Sequence, residues 1–186
     1  MPPLTLSRAR TVGRRRRALV TAGVCAVGLW AGLTAKLFVW PALDELDQVH
    51  ADAVLVLGGP GDRVALGEEL ARRHAAPWLV VSVASVEWDC PHLEVPGVRV
   101  LCFRPDPFST QGEARYFGAQ ARQHGWRSVV VVSSVPQATR ARLRVKRCFP
   151  GRVQVVGARL GWPQFVYGVV YEWGALAKAV LWQVSC

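Results

Sequence analysis

The chain has 186 residues, enough for one medium domain and an accessory segment, and enough to bury a core without relying on metals or many disulfides. Its formal net charge is +10, but Arg8, Arg10 and Arg14 to Arg17 carry six positive charges ahead of Ala18, with no acid among them. The other 17 of the 23 basic residues face 13 acidic ones, a balance of +4, so the basic pI belongs largely to the tail and nucleic-acid binding is not expected.

Residues 1–17 therefore read as a basic cytoplasmic tail. Residues 18–40, ALVTAGVCAVGLWAGLTAKLFVW, carry one charge, Lys36; as a helix of ~34 Å they would cross a hydrocarbon core. Lys36 is near enough to the end to carry its ammonium to the headgroups, and Trp40 suits the interface. The arginines abut the other end, so the positive-inside rule puts the N-terminus in the cytoplasm and the rest of the chain outside a cell membrane crossed once. A cleavable signal would have a shorter apolar run, and small residues rather than Leu37, Phe38, Val39 and Trp40 after it. Residues 41–50 form a short acidic linker.

From residue 51 to 186 the pattern is that of an extracytoplasmic α/β domain. Apolar, β-branched runs at 51–58, 77–83, 97–103, 127–133 and 152–157 suit strands buried on both faces. Segments 62–74, 110–124 and 136–147 have helical composition, and the alternation predicts a Rossmann-like three-layer sandwich with a mainly parallel sheet. The Trp-rich stretch 163–183 is apolar but interrupted by Glu172 and Lys178; it is expected to pack on the sheet or lie against the membrane surface rather than span it.

Cys25 sits in the apolar segment, whereas Cys90, Cys102, Cys148 and Cys186 all fall in the domain. An even number outside the membrane predicts disulfides with three possible connectivities, of which Cys90 with Cys102 and Cys148 with Cys186 are favoured. No CxxC or Cys/His cluster occurs, so no metal site is expected.

In open parallel sheets, ligands bind beyond the carboxyl ends of the strands. After the first strand comes Gly58-Gly59-Pro60-Gly61-Asp62-Arg63, able to bring backbone amides to an anion. After the second come Ser82 and Ser85. After the third, Thr110 and Glu113 have the spacing of a capping box. After the fourth, Ser133 and Ser134 lead into Gln137 and Arg140. The run Arg140, Arg142, Arg144, Lys146, Arg147 is most simply a solvated helix face, with Arg140, Arg144 and Arg147 on one side. Arg140 is singled out because an anion at its helix start would meet a guanidinium as well as free amides. No GxSxG, Walker or HExxH motif is present, and no histidine lies at a predicted strand C-terminus.

The series VLVLGGPGDR, PFSTQGEA and VVVVSSVPQATRA, in this order and spacing over residues 51–157, resembles the SanA-like and YdcF-like bacterial envelope proteins, a domain family of unknown function. The resemblance implies a Rossmann-type domain behind a membrane anchor, with a role in envelope biogenesis or barrier function and no settled reaction or cofactor. One member's association with nucleotide-like ligands fits the fold. It implies ligand-binding positions at Gly58, Gly59, Arg63, Ser82, Thr110, Ser133, Ser134, Gln137 and Arg140; Glu113, the only well-placed acid, is the candidate catalytic residue. The chain departs from the pattern at Val83 and Ala84, at Gly112 and Glu113, and at Gln137, which stands for a histidine and cannot exchange a proton near neutral pH. The expected function is binding or processing of a phosphorylated, nucleotide-like or lipid-linked envelope precursor, with the bilayer and a small anionic or lipid-linked ligand as partners and no nucleic acid. The alternative is a non-catalytic scaffold or regulatory module. A cytoplasmic methyl-donor-binding protein would require the opposite topology.

Overall fold

A computed structural model describes residues 6–83, 93 and 95–186; for residues 6–15 it describes the backbone only. Ser85, Cys90 and the departure at Ala84 lie outside the described residues. The chain forms two compact units, Met1–Lys36 and Leu37–Cys186.

In the first unit, Leu6–Thr34 is one α-helix, α1; a π-helical turn over Ala35–Val39 follows it and carries the chain into the second unit. Within this stretch Arg16–Val39 is the helix long and apolar enough to cross a membrane among the described residues.

The second unit is an α/β sandwich. Its strands are β1 (Ala53–Val56), β2 (Trp78–Ser82), β3 (Arg99–Phe103), β4 (Ser128–Ser134) and β5 (Arg152–Ala158), in the order β3-β2-β1-β4-β5, with every neighbouring pair parallel. Its helices are α2 (Arg63–Arg72), α3 (Thr110–His124), α4 (Ala138–Cys148) and α5 (Trp162–Leu181). The apolar runs are explained by burial on both faces: β1 and β4 expose almost nothing, and successive residues alternate between two cores. Leu55, Val129 and Val131 join Phe117, Ala121, Ala141 and Val145 of α3 and α4 on one side. Val54, Val56, Val130 and Val132 join Leu70 and Ala71 of α2 on the other.

Two features help to fix the frame that carries the site, one at each end of the sheet. Asp52, just before β1, accepts hydrogen bonds from the Arg127 and Ser128 amides at 2.7 and 2.9 Å and from Ser128 Oγ at 2.9 Å, setting the register of β1 beside β4. Gly112 lies where an added Cβ would stand 2.0 Å from the Pro107 carbonyl oxygen, so the loop ahead of α3 can close only over a residue without a side chain.

The domain also carries the expected bond between Cys148 and Cys186, with Cα atoms 4.8 Å apart. Cys102 is disulfide-bonded as well, while its favoured partner, Cys90, is outside the described residues. The basic run on α4 is not a solvated face. Arg144 is 3% exposed and donates to the Gln183 side chain and carbonyl, and Arg147 donates to the carbonyls of Ala179 and Gln183. These two arginines satisfy carbonyls at the end of α5, which a helix C-terminus leaves without partners of its own.

Candidate functional site

The sheet order reverses between β1 and β4: the chain leaves β1 for β2 and β3 on one side and returns to β4 on the other. A cleft of about 550 Å³ opens at this switch point, where doubly wound sheets bind ligands. It is lined by the turn after β1, the starts of α3 and α4, and one side of α5. Of the residues singled out in the sequence, Gly58, Gly59, Arg63, Thr110, Glu113, Ser134, Gln137 and Arg140 come together here. Ser82 and Ser133 do not line the cleft; both are buried at the ends of their strands.

The turn after β1 is shaped around Arg63. Gly59 has φ +126°, and a Cβ there would come within 3.0 Å of the Arg63 guanidinium, so two independent constraints favour glycine. Arg63 is 3% exposed. Its Nη1 donates to the Gly58 carbonyl and, at 3.4 Å, to that of Leu57; its Nη2 donates to Ser134 Oγ at 3.1 Å. Its Nε is buried without a partner. Burial lowers its pKa to about 10, resisted by the charge of Glu113, so the group remains a cation at neutral pH.

Glu113, 4% exposed, accepts the Gly58 amide at 2.6 Å and so ties α3 to the glycine turn. Ser82 Oγ lies beside this carboxylate but short of full hydrogen-bond geometry. Burial pushes the Glu113 carboxyl above its ordinary value, against the opposing pull of Ser82, the Gly58 amide and the Arg63 and Arg140 guanidinia. The expected capping box is not formed. Ser109 is the N-cap and accepts the Gly112 amide at 3.3 Å; Thr110 is the first residue of α3, and Glu113 lies one position beyond the box and turns to Gly58 instead.

Thr110 Oγ1 accepts from Gln137 Nε2 at 3.0 Å and from Arg140 Nη1 at 2.8 Å. Gln137 thus holds the start of α4 to the start of α3. Arg140 also meets Glu172 in a two-point ion pair, Nε to Oε2 and Nη2 to Oε1, both 2.7 Å. Burial works to lower the Arg140 pKa, but the hydrogen bonds and charge of Glu172 outweigh it and raise it. Three of the five guanidinium N–H groups are thereby used, leaving two for a ligand.

Glu172, Tyr167, Tyr171 and Phe108 line the cleft but were not anticipated as site residues. The signal for Glu172 was its position as the sole acid of a long apolar helix, a costly placement unless a buried cation receives it. Among the described residues no group of three or more side chains could hold a metal ion. Known protein families, curated proteins and solved structures yield no match to this chain.

Proposed function

We propose that this is a membrane-anchored, extracytoplasmic α/β domain that binds a phosphorylated ligand, nucleotide-like or lipid-linked, at the switch-point cleft, in the manner expected of a SanA-like or YdcF-like envelope protein. The observation that carries the reading is Arg63. It is a buried cation on the cleft wall with an unpartnered Nε, in no ion pair among the described residues. The acid whose charge acts on it most, Glu113, is driven by burial toward the neutral form. With Arg140 balanced by Glu172, the cluster is one negative charge short whenever Glu113 is protonated, and an anion supplies it.

The remaining N–H groups of Arg140 give that anion a second, directional contact. Glu113 is the group able to exchange a proton with it, and any turnover would depend on that carboxyl. The domain's oxidised cysteines favour an extracytoplasmic site, and the apolar helix Arg16–Val39 supplies the anchor.

The test is thermal unfolding of the purified full chain with inorganic pyrophosphate, a nucleoside diphosphate or a polyprenyl monophosphate. At least one should raise the midpoint by mass action. Arg63→Lys should remove that rise while its own unligated chain still unfolds cooperatively. No rise with any of the three, or an equal rise in Arg63→Lys, rejects the reading.

The scaffold reading has one observation in its favour: Gln137 donates to Thr110 and so bridges helices where a histidine would offer acid or base chemistry. Turnover of a phosphorylated substrate by the native chain would reject it; turnover gained only in Gln137→His would support it.

A further inference from the structure

Helix α5 is apolar, but only Glu172 and Ala179 of its 20 residues are fully buried. Trp162 at its start is 77% exposed, Tyr167 71%, Val170 70%, and Trp182 just past its end 74%. A helix this apolar is normally covered all round, yet among the described residues these side chains lie open to solvent. The chain itself indicates what covers it. Phe38, at the end of the apolar segment Arg16–Val39, is fully buried and packs edge-on against Trp173 in the middle of α5, with ring centroids 5.3 Å apart. Thr139 on α4 donates to the Leu37 carbonyl at 2.6 Å. The point where the chain would leave a bilayer is therefore packed against α5 itself.

We propose that the outward face of α5 docks on the surface of the bilayer that holds the apolar segment, a proposal that rests on reading that segment as a membrane span. Trp162 and Trp182 suit the headgroup level at the two ends, with Val170 and Leu181 reaching toward the acyl boundary. The sole acid of α5 is withdrawn into the pair with Arg140, so α5 itself turns no carboxylate toward the lipid, and exposed Lys178 can meet anionic headgroups. Tyr167 and Tyr171 belong both to this face and to the cleft wall, so docking would open the cleft at the lipid surface.

The experiment uses the full chain, with Cys25→Ala to remove the free thiol, reconstituted into phosphatidylcholine vesicles carrying brominated acyl chains. A bimane label is placed by Val170→Cys on α5 or, in a separate variant, by Arg72→Cys on α2, which packs on the other face of the sheet from α4. The label at 170 should lose most of its emission and the label at 72 little. If neither is quenched while the chain resists alkaline carbonate extraction, the span holds and the docking is wrong. If the label at 170 is unquenched and Val170→Cys crosslinks to itself, a second copy covers the face and the proposal is overturned. If carbonate extracts the chain, the span reading fails and the docking fails with it.

Discussion

Arg140 and Glu172 face each other as a fork on a fork, two hydrogen bonds of 2.7 Å joining the first turn of α4 to the middle of α5, with the side chains only 12% and 4% exposed. Removing either partner strands a buried charge, which costs about 3–5 kcal/mol. Glu172→Ala should therefore lower stability to denaturant by that order. Arg140→Ala should do the same, so that variant alone would not separate anion binding from folding. Replacing both by apolar residues, Arg140→Met with Glu172→Leu, should recover much of the loss. Urea midpoints of the four proteins check this: if the double variant is as unstable as the sum of the singles, the pair is not the reason for either loss.

Asp52 works at the opposite end of the sheet. Hydrogen bonds from the Arg127 amide and Ser128, opposed by partial burial, leave its pKa below the ordinary 3.8. A depressed carboxyl contributes stability that is complete above the unfolded value and lost as pH falls through the folded one. Asp52→Ala should cost about 1–2 kcal/mol at neutral pH. The difference from the wild type should shrink in acid below about pH 3.8. Unfolding curves at pH 7 and pH 3 would contradict this if the difference were the same at both.

Much of the fold could be read before any coordinates, because its signals are local. The β-branched runs fell on all five strands, and the segment 110–124 became α3 residue for residue. What could not be read depends on contacts between distant elements. The basic spacing of Arg140, Arg144 and Arg147 was visible, but that their side would receive α5 and the C-terminal residues follows only from Glu172 and Gln183 arriving there. The choice of Ser109 over Thr110 as the cap turns on backbone geometry, with Ser109 extended at φ −166° and Thr110 already helical. Gly112 looked like a departure from an acidic position; the Pro107 carbonyl explains why no side chain fits.

Glu113 should give the pH profile a slope opposite in sign to that of Asp52. Its carboxyl is raised above the ordinary 4.5 by burial, so the fold holds a proton that the unfolded chain releases. Its contribution is present in full below that value and is lost as pH rises through the folded pKa. Glu113→Gln keeps an oxygen to accept the Gly58 amide but cannot ionise. Its stability should be flatter than the wild type's from about pH 4.5 upward. Parallel profiles over that range would show that Glu113 is not shifted.

The bond between Cys148 and Cys186 closes the C-terminal end of the chain onto α4 across 38 residues. In the chain-entropy account, a loop of that length contributes ~4 kcal/mol by restricting the unfolded state. The native state depends on it too, since Gln111 donates to the Ser185 carbonyl at 3.4 Å and Arg115 to that of Cys186 at 2.8 Å. Cys186→Ser should therefore lower the unfolding midpoint and release the last residues, seen as faster amide exchange from Gln183 onward, with the strands unaffected. The same bond tests topology. It persists in an oxidising compartment and is rare in a reducing one. In cells treated with a membrane-impermeant maleimide, Cys148 and Cys186 should stay unlabelled until a reductant is added, then react without lysis. Free thiols that react only after lysis would place the domain on the cytoplasmic side.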